Sequence, residues 1–266
     1  MSWLTALPEL APEPDAPWAL LADLHANLPA TEAVAAYLRE QGLGRVVVVG
    51  DLVGYGAQPA QVVDLVRHEG WLAIRGNHDE MVLGIEPENI VIKPYARDAI
   101  EWSRQRLAPE QLAYLGALEP WGRLGSSVVL VHGSLVDSRK CYAYLYDLSL
   151  DLNIRRLREL ELGPGTLVVT GHTHRPAVFE VQGDEGHSLA VPVGGLELDP
   201  GRHYFVNPGS VGFSRDGDPR ASLMIFEPRH RLVRLVRVAY DLDRAVASIL
   251  EAGYGPRIAE RLREAN

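Results

Sequence analysis

The chain has 266 residues, 47% apolar and 23% charged, a composition that excludes wholesale disorder and supplies a sizeable core. Its 26 Lys and Arg stand against 35 Asp and Glu, giving a formal charge of −9, so long-range steering of a nucleic acid backbone is disfavoured and a nucleic acid partner is not expected. The single cysteine, Cys141, excludes an intramolecular disulfide, fits a reducing compartment and is read as a small buried hydrophobe.

The stretch from Trp3 to Leu7 is apolar but has no basic flank, and Pro8, Pro12, Pro14 and Pro17 break up the residues after it, which is not the pattern of a signal peptide. No run reaches the ~18 apolar residues of a membrane span. A cytoplasmic chain without membrane contact is therefore expected, forming one domain over residues 1–266.

From Trp18 onward, short apolar runs alternate with amphipathic stretches of helical length, as in βαβ units around a buried sheet. Ala19 to Ala22 reads as a first strand. Asn27 is placed to cap a helix with Pro29 in its first turn and Val34, Ala35 and Leu38 on one face, ended by Gly42 and Gly44. Val46 to Val49 is continuous and β-branched, as strands covered on both faces are. A helix from about Ala60 to Glu69 and a strand from Trp71 to Ile74 come next. The text between Glu80 and Leu118 is helical and reads as an insertion at about 80–118, with no further strand until Val128 to Val131. A helix near Leu150 to Leu160 then precedes a strand from Leu167 to Thr170. After Pro176 the runs Val178 to Val181, Leu189 to Val191, Tyr204 to Val206, Leu223 to Phe226 and Leu232 to Val238 suggest a second, antiparallel and meandering sheet. Asp241 is placed to cap a closing helix through Leu250.

Five of these strands run into side chains able to bind metal: Asp23-Leu24-His25, Gly50-Asp51, Gly76-Asn77-His78-Asp79, His132-Gly133 and Gly171-His172-Thr173-His174. In open α/β sheets the carboxyl ends of strands form the ligand-binding edge. Each fragment alone arises readily by chance, and Gly-Asp usually marks a turn. Jointly they weigh more, because five of nine histidines fall in these segments, while His68, His187, His203 and His230 do not and are read as solvated or locally bonded.

Asp23, His25, Asp51, Asn77, His132, His172 and His174 exceed the three or four protein ligands of one zinc ion, so two ions are the natural count, with a carboxylate such as Asp51 able to bridge them. Nitrogen and oxygen donors suit Mn, Fe, Zn, Co or Ni, and no cysteine in the cluster points to a structural zinc site. Two ions about 3.5–4 Å apart activate a shared water and clamp a phosphoryl group, which makes phosphate ester hydrolysis the expected reaction. His78 is not needed for coordination and is free to protonate the leaving oxygen or to serve as a structural hydrogen bond beside the ligands.

In this order the segments resemble the calcineurin-like metallophosphoesterases, and they look closest to a small bacterial phosphoesterase branch through Gly50 to Gly56 and Asn207-Pro208-Gly209-Ser210. The resemblance runs from about Trp18 to Phe226. It implies an α/β fold, a four-layer α/β/β/α sandwich with two mixed sheets and metals at the strand-end edge. It assigns Asp23, His25, Asp51 and His174 to a first ion and Asp51, Asn77, His132 and His172 to a second. His78 would act at the leaving group or on transition-state charge, and Asp79 would support its loop. Departures are Ala22 and Ala26 in place of small neighbours of the first motif. Gly54-Tyr55 also stands where the protein phosphatase branch carries Asp-Arg, which removes a phosphate-binding arginine and lowers the protein phosphatase reading.

Some positions stay open. Arg75 would approach phosphate or pair with a carboxylate. Asn27 would contact phosphate oxygens or cap its helix. Asn207 to Ser210 would lie near the site or form a turn, and Tyr142, Tyr144 and Tyr146 would line a cleft or pack a loop. The expected protein is a hydrolase of a small phosphorylated or nucleotide-like mono- or diester, attacked by metal-bound water or hydroxide, with Mn²⁺ the first ion to test. A metal-stabilised interaction scaffold, a nuclease and a dinucleoside polyphosphate hydrolase are the alternatives.

Overall fold

The computed structural model describes residues 8–12, 15–85, 92–136, 147–160 and 162–266. In chain order these give β1 (Glu9–Ala11), β2 (Trp18–Leu21), α1 (Leu28–Glu40), β3 (Val46–Val49), α2 (Pro59–His68), β4 (Leu72–Ile74), α3 (Asn77–Val82), α4 (Pro94–Arg106) and α5 (Pro109–Ala117). Then come β5 (Trp121–Leu124), β6 (Val128–Val131), α6 (Asp147–Glu159), β7 (Leu167–Val169), β8 (Ala177–Gln182), β9 (Glu185–Leu189), β10 (Leu196–Glu197), β11 (His203–Asn207), β12 (Ala221–Glu227) and β13 (Leu232–Val238), closed by α7 (Leu242–Ala252) and α8 (Pro256–Glu264). Among the described residues no helix is long and apolar enough to cross a membrane.

Two mixed sheets stack face to face. The first has the order β10-β13-β12-β2-β3-β4, and the second β1-β5-β6-β7-β11-β8-β9. The two-residue period of a strand explains how one run serves two interiors. Val47 and Val49 point between the sheets with Leu20, Leu130, Val169, Val206 and Met224. Val46 and Val48 point the other way, onto α1 and α2 through Val34, Leu38, Val62 and Val66. In the second sheet Val129, Val131, Val168 and Phe205 face outward onto Leu150, Ile154 and Leu157 of α6. The result is helix, sheet, sheet, helix, as the resemblance implies.

Three expectations are corrected. The strands after Pro176 do not make a sheet of their own: β8, β9 and β11 extend the second sheet, whereas β10, β12 and β13 extend the first. Membership is set by remote pairing, β11 running parallel to β7 on one side and antiparallel to β8 on the other. The run before Val128 is not free of strand, since β5 lies antiparallel to β6 and is flanked by β1 from the proline-rich start. Finally, the strand expected at Leu189 to Val191 sits earlier, at β9, because Gly183 at φ 60° turns β8 directly back on itself with Gln182 opposite Glu185.

The parallel strands β2, β3 and β4 lie side by side, with Leu21 opposite Val48 and Val49 opposite Ile74. In the second sheet β6 and β7 are also parallel, Leu130 facing Val169. These five strands deliver their following loops to a common edge. Asn27 accepts from the Ala30 N–H and Asp241 from the Arg244 N–H, so both helix caps form as the sequence indicates.

Candidate metal centre

At that edge the structure brings together Asp23, His25, Asp51, Asn77, His132, His172 and His174, all buried. Backbone conformation aims them. Asp23, His25, Asp51, His172 and His174 take φ of 56°, 46°, 55°, 67° and 59°, the left-handed region that non-glycine residues rarely adopt. Each such residue costs on the order of 1 kcal/mol or more, and such strain clusters at functional sites.

Hydrogen bonds lock the loops to one another. His25 N–H donates to the Asp51 carbonyl at 2.9 Å, and Asp51 Oδ1 accepts from His78 N–H at 2.8 Å. Asp23 accepts from His172 N–H with both oxygens, at 3.2 and 3.0 Å. Asp79 accepts from Val53 N–H at 3.1 Å and from Gly76 N–H at 2.9 Å, so it ties the Asp51 loop to the Asn77 loop. Two imidazoles are fixed by carbonyls: His132 Nδ1 donates to Val49 at 2.8 Å and His174 Nδ1 to Phe213 at 2.5 Å. A carbonyl can only accept, so a ring proton sits on each Nδ1 and each Nε2 faces the centre as the atom that would bind a cation once deprotonated.

Two groups of ligand atoms result, each within 4.8 Å: Asp23, His25, Asp51 and His174, then Asp51, His132 and His172. Asn77 joins the second through Oδ1, 3.1 Å from His132 Nε2. His25 Nε2 and His174 Nε2 face each other at 2.9 Å. Two donors about 2.1 Å from one cation at near right angles stand about 3 Å apart, so this spacing suits a shared ion. His132 Nε2 approaches Asp51 Oδ2 to 3.2 Å, yet that oxygen, wholly buried, has no well-formed hydrogen bond among the described residues. A buried carboxylate oxygen left so is costly, and a cation would satisfy it. The donor set thus fits a pair of metal ions.

Without ions, burial and crowding set the charge states. Burial pushes the Asp23 carboxyl up to about 7, and burial drives His25, His172 and His174 well below the ordinary histidine range. Burial opposes ionisation of Asp51, but His132, His78 and His25 together outweigh it and hold the carboxyl well below the usual range. Burial likewise opposes charge on His132, and Asp51, Asp23 and the Val49 carbonyl together reverse it to about 10. Burial holds His78 down to about 4 and raises Asp79 to about 7.

The open positions resolve individually. Asn27 caps α1 and donates to the Gly212 carbonyl at 2.9 Å, a helix and loop role. Arg75 turns from the cleft toward α5, donating to the Gly116 and Leu118 carbonyls at 3.2 and 2.9 Å with Glu80 at 3.5 Å. Asn207 donates to the Gly171 carbonyl at 2.7 Å and Ser210 to the Asp23 carbonyl at 2.8 Å, so this turn braces two ligand loops. Tyr142, Tyr144, Tyr146 and Cys141 lie outside the described residues.

The structure adds Tyr55 and Arg215. Tyr55 packs 4.6 Å from the His25 ring and 4.7 Å from that of His78. Arg215 donates to the Tyr55 hydroxyl at 3.1 Å, lies over the Tyr55 and Phe213 rings at 5.7 and 5.9 Å, and lines a cleft with Asp51, Asn77 and His78. Its sequence context, Ser214-Arg215-Asp216-Gly217, signals only a turn.

A model of the calcineurin-like phosphoesterase superfamily domain matches residues 18–231. An uncharacterized protein of Methanocaldococcus jannaschii is 32% identical, covering 92% of this chain and 96% of its own. A crystal structure of a metallophosphoesterase from Sphaerobacter thermophilus has a TM-score of 0.76 at 33% identity over 94% of this chain and 99% of that one. A hypothetical protein from Pyrococcus horikoshii, 18% identical with a TM-score of 0.73 over 94% and 98%, shares the fold.

Proposed function

Because the chain belongs to the calcineurin-like phosphoesterase superfamily, we propose that its strand-end centre holds two metal ions and hydrolyses a small phosphomonoester or phosphodiester. Asp23, His25, Asp51 and His174 would hold one ion, and Asp51, Asn77, His132 and His172 the other. The supporting observation is that two buried donor groups share Asp51. When bound, such ions polarise phosphoryl oxygens and bring the pKa of water toward neutrality. Mn²⁺ is the first ion to test, followed by Fe, Zn, Co and Ni.

The chain's own residues divide the remaining work. Arg215, pinned by the Tyr55 hydroxyl and two rings, presents a guanidinium whose fork matches phosphoryl oxygens. That orients the ester and draws charge away from phosphorus. His78 lines the cleft beside Asn77 and, its ring kept neutral by burial, would serve the leaving oxygen as a hydrogen-bond donor. Asp79, Asn207 and Ser210 keep the ligand loops in place, and the buried walls exclude bulk water.

The test is hydrolysis of nitrophenyl phosphate mono- and diesters with each metal. Asp51→Asn, which weakens the shared ligand, is expected to lower turnover by more than about a hundredfold and to reduce bound metal at both positions. A metal-replete Asp51→Asn protein with the parent rate refutes the reading.

A further inference from the structure

The cleft over the centre, about 350 Å³, extends well past the metal ligands. It is lined by Asp51, Asn77 and His78 of the centre and also by Lys93 and Arg261, the latter bonded to Tyr95. Lys93 precedes the first turn of α4, and Arg261 lies in α8, so the two cations come from separate elements. Between the centre and Arg261 runs a path of rings: Tyr55 is 4.7 Å from His78, and Tyr95 is 6.4 Å from Tyr55. Arg261 Nη1 donates to the Tyr95 hydroxyl at 3.0 Å, and its Nε to the terminal main-chain oxygen of Asn266 at 2.8 Å. These bonds use two of the five N–H donors of a guanidinium.

Charge is distributed unevenly. The chain carries −9 overall, yet three cations, Lys93, Arg215 and Arg261, line this cleft. Among its described lining residues the sole carboxylate is Asp51, already committed to the centre. Among the described residues no Asp or Glu side chain pairs with Lys93 or Arg261, while Arg261 Nε is held by the terminal oxygen of Asn266. Arg215, against Tyr55, accounts for the phosphoryl group being cleaved. Arg261 is bonded to Tyr95, one ring beyond Tyr55, Lys93 is two residues from Tyr95 in sequence, and Met81 and Ile92 add apolar lining. Like charges gathered at a cleft mouth repel one another and are favoured when an anion binds there.

We propose that Lys93 and Arg261 bind a second phosphate carried on the leaving group, so that the preferred substrates are small organic bisphosphates. The proposal rests on the phosphoesterase reading and names its substrate class. The scissile phosphate sits at the centre, the organic body lies along Tyr55 and Tyr95, and the distal phosphate reaches the outer pair. In the reaction, the oxygen of water bonds to phosphorus as the phosphorus–oxygen bond to the leaving group breaks. The leaving oxygen takes a proton, and the products are inorganic phosphate and a monophosphorylated alcohol.

The experiment compares fructose bisphosphate with fructose monophosphates on the Mn²⁺-loaded protein, by phosphate release and by calorimetric binding. A charge-assisted contact supports an expected kcat/KM advantage of about tenfold or more for the bisphosphate. Lys93→Gln and Arg261→Gln are each expected to raise KM for the bisphosphate and bring that ratio toward one. Arg263→Gln, on α8 outside this cleft, is expected to keep the ratio. A parent protein indifferent to the second phosphate, or variants that slow both substrates alike, overturns the proposal. Should no ester be cleaved, nitrophenyl phosphate included, hydrolysis falls. Binding then decides the outer site: tighter binding of the bisphosphate by about tenfold upholds it, and equal binding removes it.

Discussion

Gly54 shows how closely the centre is packed. A Cβ at this position would stand 2.5 Å from His78 Nδ1 and 2.7 Å from His25 Nδ1, and the φ of 131° is one that side chains resist. Gly54→Ala must therefore move a ligand, the neighbouring histidine or the backbone. Since misplacement by about 1 Å can cost a hundredfold in rate, turnover is expected to fall by at least about tenfold. The measurement is kcat for nitrophenyl phosphate beside metal content, and an unchanged rate contradicts the packing described. At the same position the sequence lacks the Asp-Arg pair of protein phosphatases, and the structure brings Arg215 to the ring of Tyr55. The clustered histidines and carboxylates were legible because each directly follows an apolar strand. Arg215 was not, because its meaning comes from a contact across 160 residues of chain.

At the scale of elements, local chemistry was legible where it is self-contained. Asn27 with Pro29 and Asp241 with the Arg244 N–H start helices through interactions spanning a single turn. Sheet membership was not legible, because β1 and β5 are short, β1 pairs with a strand far ahead of it in sequence, and β11 joins a strand far behind it. Helices α7 and α8 bury Val246, Ile249, Ile258 and Leu262 against Tyr55 and Phe213, so they form the outer wall of the aromatic side of the site. Their stability and the chemistry should nonetheless separate. Asp241→Ala removes the cap of α7, with an expected loss of about 1 kcal/mol and a drop in Tm of about 2–4 °C. Thermal unfolding with parallel assays checks it: a large loss of turnover at unchanged Tm would show that Asp241 acts through the site instead.

For the whole molecule, the centre lies where the two sheets meet, and His132 on the second sheet's edge is bonded to the Val49 carbonyl on the first. Carboxylates and imidazoles there are buried from solvent, so without cations the junction holds acceptors that the unfolded chain would hydrate more fully. Metal binding must then stabilise the fold as well as serve the reaction. An ion at about a hundred times its Kd adds about 2.7 kcal/mol. At about 2–4 °C per kcal/mol for a chain of this size, chelation is expected to lower Tm by about 5–10 °C, and Mn²⁺ should restore it. The ligands bind ions only when deprotonated, so protons compete and the gap between metal-loaded and chelated protein should narrow from about pH 7.5 to about pH 5.5. Calorimetric melting at the two pH values reads both effects. Identical melting with and without chelator at the higher pH would mean that the two sheets are held together without ions between them, and the buried acceptors would need another partner.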